Sequence, residues 1–217
     1  MWPQQESRIL RIFKRKAHLF LSQPPADEDA FEWLSIMQHH GAPTRLVDFT
    51  WSPHVAAFFS LEHATKTAAI WAVFPPALSA RPVRTTRPSQ TITGDEVGPW
   101  VIGNYEKYFL PNQKTIVLVG EPQRMSQRLI AQSGTFAIPG LLDKPVELIA
   151  PANSIVKFEI DVMARKEAMS ELYKMNISDA TLFPGLDGLA RSLAYELEFH
   201  WAFDPETKGA YPGVPKE

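Results

Sequence analysis

Apolar residues recur at helical spacing along several stretches of the chain, and capping residues mark where these stretches begin and end. Asp27 or Asp29 can cap a helix that stops at Gly41, since glycine readily takes the left-handed conformation of a helix end. Ser52 and Pro53 predict another helix start, with serine as N-cap and proline in the first turn. The predicted helices cover residues 6–21, 28–40 or 30–40 (depending on which aspartate is the cap), 53–62, 124–133, 162–175 and 186–201.

Between these helices, the apolar runs are short and irregularly placed, unlike the regular alternation of a doubly wound parallel sheet. They predict an α+β fold, a single domain over residues 1–203 with a mixed or mainly antiparallel sheet and flanking helices. Prolines and arginines spaced along residues 77–99 predict a surface loop within it, and the proline- and glycine-rich residues 204–217 predict a loose tail. The predicted strands cover residues 45–49, 68–74, 115–119, 135–138 and 155–160.

The first predicted helix is basic on one side and apolar on the other. We expect the apolar stripe to pack on the domain and the basic face to be solvated. The alternative is contact with a nucleic acid or another anionic partner, although the net charge of −2 does not indicate a nucleic-acid binder. The stripe consists of Ile9, Ile12, Phe13 and Phe20, and the basic side chains are Arg8, Arg11, Lys14, Arg15 and Lys16.

The composition restricts the class of protein further. With 217 residues, of which 45% are hydrophobic, the chain can bury a sizeable core, which excludes wholesale disorder. The absence of cysteine excludes disulfide scaffolds, thiolate-bound zinc, iron–sulfur clusters and thiol nucleophiles. No apolar run is long enough to span a membrane, and residues 1–16 lack the pattern of a signal peptide. Together these features predict a cytoplasmic protein with no membrane partner.

The densest cluster of polar residues runs from Gln38 to Pro53, between two apolar helices. Charged groups in such surroundings are expected to be paired or functional. Arg45 and Asp48 would point to opposite faces of a strand, so we do not expect them to pair with each other. In one interpretation Arg45 ties the preceding helix end to another segment and Asp48 caps a neighbour. In the other they edge a site, with arginine as an anion or ribose clamp.

Metal and phosphate motifs of the common kinds are absent: there is no glycine-rich phosphate loop, no GxSxG and no HExxH. The adjacent His39 and His40 are expected to diverge, whereas a chelating pair on a helix is spaced four residues apart. The sequence therefore predicts no metal site.

Two further clusters lie at predicted helix ends. Arg128 and Gln132 are four residues apart and share a helix face, which is either solvated or part of a site. Asp187 lies in a turn with two glycines before the last helix, where it can cap that helix or place a carboxylate at the mouth of a site.

These three clusters, in this order, resemble the FRG domain family of bacteria and phages. The family pattern Gln-His-x-Gly-x-Pro-Thr-Arg-Leu-x-Asp, followed by Ser-Pro-x-x-Ala, is similar to residues 38–56. An Arg-x-x-x-Gln-x-Gly-x-Phe element resembles residues 128–136, and a Leu-Phe-Pro-x-Leu-Asp-Gly-Leu element resembles residues 182–189. The resemblance covers residues 5–195. The Phe-Arg-Gly motif for which the family is named is absent, so we expect the domain to be N-terminally incomplete, with that motif encoded upstream in frame.

The resemblance implies an ADP-ribosyltransferase-like core, and with it NAD-dependent transfer of ADP-ribose to a macromolecule, protein or nucleic acid, in toxin or phage-defence biology. An antitoxin or immunity protein is an expected partner. Arg45 would clamp the pyrophosphate or ribose, while Thr50 and Ser52 would shape the nicotinamide wall. The implied catalytic residues are Arg45, Asp48, Gln132 and Asp187, and the implied NAD-binding residues are Gln38, His39, Thr44, Arg45, Thr50, Ser52 and Arg128.

The chain differs from that chemistry in one respect, because it lacks the negatively charged side chain expected at one catalytic position. In such folds a glutamate stabilises the positive charge that develops as nicotinamide leaves, and here the position nearest that role is Gln132. Asp187 or Asp48 would then supply the carboxylate. Two alternatives stay open: a non-catalytic nucleotide-binding or regulatory module, and a metal-dependent hydrolase or nuclease that uses His39, His40 and Asp48.

Overall fold

The computed structural model describes residues 2–79, 83–84, 91–92, 94–199, 203–204, 207 and 209–210. Helices and short strands alternate irregularly along it. The helices are α1 (Trp2–Ala17), α2 (Ala30–His39), α3 (Pro53–Leu61), α4 (Pro75–Ser79), α5 (Gly94–Val97), α6 (Gln127–Ala131), α7 (Val146–Ile149), α8 (Arg165–Lys174), α9 (Asp179–Leu182) and α10 (Leu186–Phe199). Tyr105–Phe109 forms a π-helical turn and Val162–Ala164 a 3₁₀ turn. The strands are β1 (Val47–Thr50), β2 (Ala68–Val73), β3 (Val83–Arg84), β4 (Thr91–Ile92), β5 (Val117–Gly120), β6 (Gly134–Pro139), β7 (Ile155–Ile160), β8 (Phe203–Asp204) and β9 (Gly209–Ala210).

The strands form small sheets, which confirms the predicted α+β class. The largest sheet has the order β1-β6-β5, and β5 and β6 are antiparallel, with Val117 opposite Pro139 and Gly120 opposite Phe136. All six residues of the central strand β6 are buried. Because both faces of β6 are covered, its sequence shows no alternation of apolar and polar residues. The other sheets are the pairs β2-β7, β3-β4 and β8-β9.

Several helix ends lie where the sequence predicts them. The carboxylate of Asp29 accepts a hydrogen bond from the Glu32 amide (3.0 Å), so Asp29 and not Asp27 is the cap of α2. Gly41 has a φ of 76°, the left-handed value expected after α2. The Ser52 hydroxyl accepts from the Val55 amide (3.3 Å), with Pro53 as the first residue of α3. Each of these helix ends is determined by contacts between residues a few positions apart in the chain.

The described residues group into two compact units, each assembled from three chain segments. A single domain over residues 1–203 stays a prediction. The first unit contains Met1–Phe49, Ala72–Met125 and Thr135–Val156, and the second contains Thr50–Trp71, Ser126–Gly134 and Lys157–Glu217. Each unit has its own core. In the first, Leu78, Val117, Ala137, Leu141 and Ile149 form a buried cluster. In the second, the buried cluster is Val55, Phe58, Leu61, Ala68, Met169, Leu172 and Leu182.

The predicted loop and tail are only partly described. Within residues 77–99, Ala77 to Ser79 end α4, Gly94–Val97 form α5, and β3 pairs with β4. Residues 80–82, 85–90 and 93 lie outside the described residues. In the tail, β8 and β9 pair, and residues 205–206, 208 and 211–217 are outside the described residues, as is Trp201 at the predicted end of the last helix. No described helix is long and apolar enough to cross a membrane.

The apolar stripe predicted for α1 is partly wrong. Ile12 is 38% exposed, and Phe20, which is 85% exposed, lies beyond the helix end at Ala17. The buried residues are Glu6, Leu10 and Ala17. The helix is turned so that Glu6 faces inward, because its carboxylate meets a buried arginine. The basic residues Arg8, Arg11, Arg15 and Lys16 are exposed, as expected of a solvated face.

That arginine is Arg45, whose side chain is fully buried. Its Nε donates to Glu6 Oε1 (3.0 Å) and its Nη2 to Glu6 Oε2 (2.5 Å). Its Nη1 donates to the carbonyl oxygens of Phe109 (2.9 Å) and Pro139 (3.1 Å). Burial lowers the pKa of Arg45, but the hydrogen bonds that it donates to Glu6 and the electrostatic interaction with Tyr105 outweigh this effect, so the pKa lies above its ordinary value. Arg45 thus joins α1, the π-helical turn and β6 within the first unit.

We predict that Arg45→Met destabilises the protein by about 3–5 kcal/mol, because it leaves the Glu6 carboxylate buried without its partner. Unfolding in urea measures the change, with Arg11→Met on the exposed face of α1 as the control, which should change stability little. The double variant Glu6→Leu/Arg45→Met should recover most of the loss, since it removes both charges. An Arg45→Met protein as stable as the wild type would contradict a structural role.

Candidate functional site

The first motif is divided between the two units. Its first half, in the first unit, forms a chain of hydrogen bonds between the end of α2 and β1. Gln38 Nε2 donates to Asp48 Oδ2 (2.8 Å), and Thr44 Oγ1 donates to Gln38 Oε1 (2.7 Å). Asp48 is exposed. Gln38, Thr44 and Asp48 are therefore brought together, whereas the Arg45 guanidinium is engaged in its own buried ion pair. NAD binding by Gln38, His39, Thr44 and Arg45 stays a prediction.

The two adjacent histidines do not diverge as expected. The rings of His39 and His40 meet edge to face, with centroids 4.8 Å apart and an interplanar angle of 88°. His40 follows the last residue of α2 and leaves the helical conformation, with φ −94° and ψ 14°, which turns its ring toward its neighbour. Within the part of the chain that the structure describes, no three His, Cys, Asp or Glu side chains are grouped so that they could hold a metal ion.

The second half of the first motif lies in the second unit and is bonded to the second motif. Thr50 Oγ1 donates to the carbonyl oxygen of Gln132 (2.7 Å) and accepts from the Ser52 amide (3.0 Å). The Trp51 amide donates to the carbonyl oxygen of Ser133 (2.9 Å). Ser133 takes the left-handed conformation (φ 47°) and Gly134 begins β6.

The second motif is in turn bonded to the third. Gln132 Nε2 donates to the carbonyl oxygen of Leu182 (3.1 Å). The third motif folds back on itself at Gly188, where a Cβ atom would collide with the carbonyl oxygen of Phe183 and lie 2.8 Å from that of Asp179. Parts of all three motifs are thus brought together in the second unit. Thr50 and Gln132 are used for this assembly, and Asp187 lies exposed in the first turn of α10.

Phe183 is the centre of this arrangement. The Cζ atom of Arg128 lies 4.7 Å from the Phe183 ring centroid, and that of Arg191 lies 4.0 Å from it. Phe59 meets the same ring edge to face, with centroids 5.9 Å apart. We call Phe59, Arg128, Phe183 and Arg191 the Phe183 cluster. The contacts are cation–π and edge-to-face pairs, which hold the two guanidinium groups beside one aromatic ring.

Two carboxylates lie in the same unit. Asp179 is 5% exposed and its Oδ1 is 3.6 Å from Arg191 Nε, while Glu62, at the end of α3, is 16% exposed. Burial raises the pKa of Asp179 against the opposing effects of Arg191 and His63. Burial, and then the nearby charge of Asp179, also raise the pKa of Glu62. We call Glu62 and Asp179 the carboxylate pair.

The surroundings of the carboxylate pair hold three further cationic or titratable groups. His63 Nε2 is 3.5 Å from Glu62 Oε1. Arg165 donates to the carbonyl oxygens of Leu61 (2.9 Å) and Glu62 (2.7 Å), and so binds the free carbonyls at the end of α3. Arg191 faces Asp179 and also extends over the Phe183 ring. The Phe183 cluster is therefore linked through Arg191 to the carboxylate pair.

Sequence reasoning identified Arg128 and missed Glu62, Asp179, Phe183 and Arg191. One signal was available: Glu62 ends a strongly apolar helix, and a charged residue in such surroundings is expected to be paired or functional. Asp179 follows Ser178 and reads as an ordinary helix start, which it also is. Its closeness to Arg191 is a tertiary contact between α9 and α10 that no local pattern indicates.

The comparison with protein families agrees with the first motif. The FRG domain family model matches residues 1–69. This part of the chain is therefore similar to the FRG domain family. The match includes the whole first motif, Phe59 and Glu62, while the second and third motifs lie outside it. No curated protein and no solved structure matches the chain.

We predict that Glu62 lowers stability as it ionises. Because its pKa is higher in the folded protein than in the unfolded chain, the folded state holds the proton more tightly. The contribution of Glu62 to the unfolding free energy should therefore fall as the pH rises from about 4 to about 6. Unfolding in urea across this range should show a smaller fall for Glu62→Gln than for the wild type. Glu167→Gln, on an exposed part of α8, is the control; equal pH dependence in all three proteins would contradict the burial effect.

Proposed function

We propose that this FRG domain protein binds NAD at the second unit and transfers its ADP-ribose to a macromolecule, protein or nucleic acid. The observation that carries the proposal is the Phe183 cluster linked through Arg191 to the carboxylate pair. Guanidinium groups, an aromatic ring and a carboxylate are the groups that a dinucleotide with a cationic nicotinamide requires. The FRG resemblance adds the setting, which we propose to be toxin or phage-defence biology in the cytoplasm, with an antitoxin or immunity protein as partner.

The reaction breaks the bond between the ribose C1′ and the nicotinamide nitrogen. The bonding pair leaves with the nicotinamide, which becomes neutral, and positive charge develops on the ribose. An oxygen or nitrogen of the acceptor then bonds to C1′ and loses a proton. A nearby carboxylate lowers the energy of this transition state through its negative charge. A carboxyl group with a raised pKa is also suited to receive the acceptor's proton.

We propose that Glu62 is that carboxylate. It is more exposed than Asp179 (16% against 5%), whereas Asp179 already faces the guanidinium of Arg191. Gln132 is neutral and its amide is bonded to Leu182, which suits a role in assembly. With this assignment Glu62 supplies the carboxylate that is missing at Gln132, the position nearest the expected glutamate.

The candidate residues of the first motif take other roles in this proposal. We assign Arg45 a structural role in place of the ligand contact that the resemblance implies, since its donors are used by Glu6, Phe109 and Pro139. Thr50 and Ser52 shape the turn that begins α3. Asp187 stays a second candidate for the carboxylate because it is exposed beside the third motif.

The proposal is tested by measuring NAD binding and nicotinamide release with the full chain and a mixture of cellular protein and RNA as acceptor. We predict that Glu62→Gln lowers nicotinamide release by about 10²–10³ while NAD binding is unchanged. Glu167→Gln is the matched control. Full loss in Asp187→Asn with full activity in Glu62→Gln would move the role to Asp187.

Other outcomes select the alternatives. NAD binding without nicotinamide release would favour the non-catalytic nucleotide-binding module. Cleavage of a nucleic acid or another substrate that a chelator abolishes would favour the metal-dependent hydrolase. A wild-type protein that does not bind NAD would overturn the proposed function.

A further inference from the structure

We infer that Arg128 and Arg191, held beside the ring of Phe183, form a binding site for a phosphate group, and in particular for a diphosphate. The inference deepens the proposed function and rests on it only for the source of the diphosphate, which would be NAD. The same chemistry fits free pyrophosphate, so the site can be tested apart from the reaction.

The distances suit such a ligand. Each guanidinium carbon lies within 4.7 Å of one ring centroid, so the two are at most about 9 Å apart. A phosphate that accepts hydrogen bonds from a guanidinium places its phosphorus roughly 4 Å from the guanidinium carbon. Two linked phosphates can therefore reach both groups at once. A single carboxylate spans a shorter distance and would engage both less well.

Arg128 has donors available. Its side chain is half-buried, and within the described part of the chain its guanidinium makes no hydrogen bond or ion pair; the contact it makes is with the Phe183 ring. A guanidinium carries five N–H donors in a planar fork that matches two oxygens of a phosphate. The ring fixes the position of the group and leaves these donors unused.

Arg191 is partly engaged. Its side chain is 50% exposed, and its Nε lies 3.6 Å from Asp179 Oδ1, longer than a direct hydrogen bond, and 3.4 Å from the Asp187 carbonyl oxygen. Asp179 therefore offsets the charge of Arg191. Its carboxylate competes with a bound anion for the Arg191 guanidinium. Glu62 carries the next negative charge, while Arg165 is bonded to the end of α3 and His63 to Glu62. Two guanidinium groups held beside one ring repel each other, and an anion between them relieves this repulsion.

The competition with Asp179 gives the inference a signature that a merely structural arginine would not show. Replacing Asp179 with asparagine removes the competing charge and keeps the shape of the side chain. Phosphate binding should then become tighter, although no new donor has been added. Replacing either arginine should make binding weaker.

Calorimetric titration of the full chain at fixed salt tests the site, with inorganic pyrophosphate, ADP-ribose and adenosine as probes. We predict that pyrophosphate and ADP-ribose bind and that adenosine does not. Arg128→Gln and Arg191→Gln should each weaken binding about tenfold or more, Arg128→Lys should weaken it less than Arg128→Gln, and Asp179→Asn should strengthen it. Arg11→Gln, an exposed arginine of α1, is the matched control and should bind as the wild type does.

The outcomes separate the site from the reaction. Absence of pyrophosphate and ADP-ribose binding, or binding that both arginine variants retain in full, would overturn the site, even if the protein cleaves NAD. Arginine-dependent binding of pyrophosphate by a protein that neither binds nor cleaves NAD would support the site and overturn the proposed function. An unfolding curve for each variant shows whether a loss of binding is a loss of folded protein.

Discussion

Hydrogen bonds to three backbone carbonyl oxygens assemble the second unit, and the candidate site depends on them. Thr50 donates to Gln132, Trp51 to Ser133, and the Gln132 side chain to Leu182. Each bond joins segments that are at least fifty residues apart in the chain. Of the three acceptor residues, Leu182 is buried, and a carbonyl left there without a partner would be costly, so these contacts favour one arrangement of the three segments. The Phe183 cluster exists because this arrangement brings α3, α6 and α10 to the same ring.

The first unit is organised in a comparable way around a charge. Arg45 binds a carboxylate on α1 and two carbonyl oxygens from distant segments, so one side chain satisfies groups in three elements. A buried guanidinium is tolerated only when its donors are used, which explains why Glu6 is drawn inward on an otherwise basic helix. Residues of two kinds therefore lie in and just after the most specific motif of the sequence. Arg45 and Thr50 hold structure together, while Glu62, just beyond the motif, is the residue to which we assign the chemistry in our proposal.

The sequence correctly predicted those features that local interactions determine. Asp29, Gly41, Ser52 and Pro53 mark helix ends through contacts within a few residues, and the irregular order of short strands indicated the α+β class. The sequence-based predictions were wrong where a tertiary contact determines the structure. The face of α1 that is buried follows from Arg45, thirty-nine residues away from Glu6, and not from the apolar stripe. Asp179 and Arg191 meet only because Gly188 allows α10 to lie close to α9. No spacing in the sequence could have paired the carboxylates with the basic cluster.

The central claim of this account is that the Phe183 cluster and the carboxylate pair form one ligand site in the second unit. A crystal structure of the protein with ADP-ribose tests it most directly. We predict that the diphosphate lies within hydrogen-bonding distance of both Arg128 and Arg191, with the ribose that would carry nicotinamide nearest to Glu62. A ligand held elsewhere, for example by Gln38, Thr44 and Asp48 in the first unit, with Arg128 and Arg191 unchanged around Phe183, would contradict it.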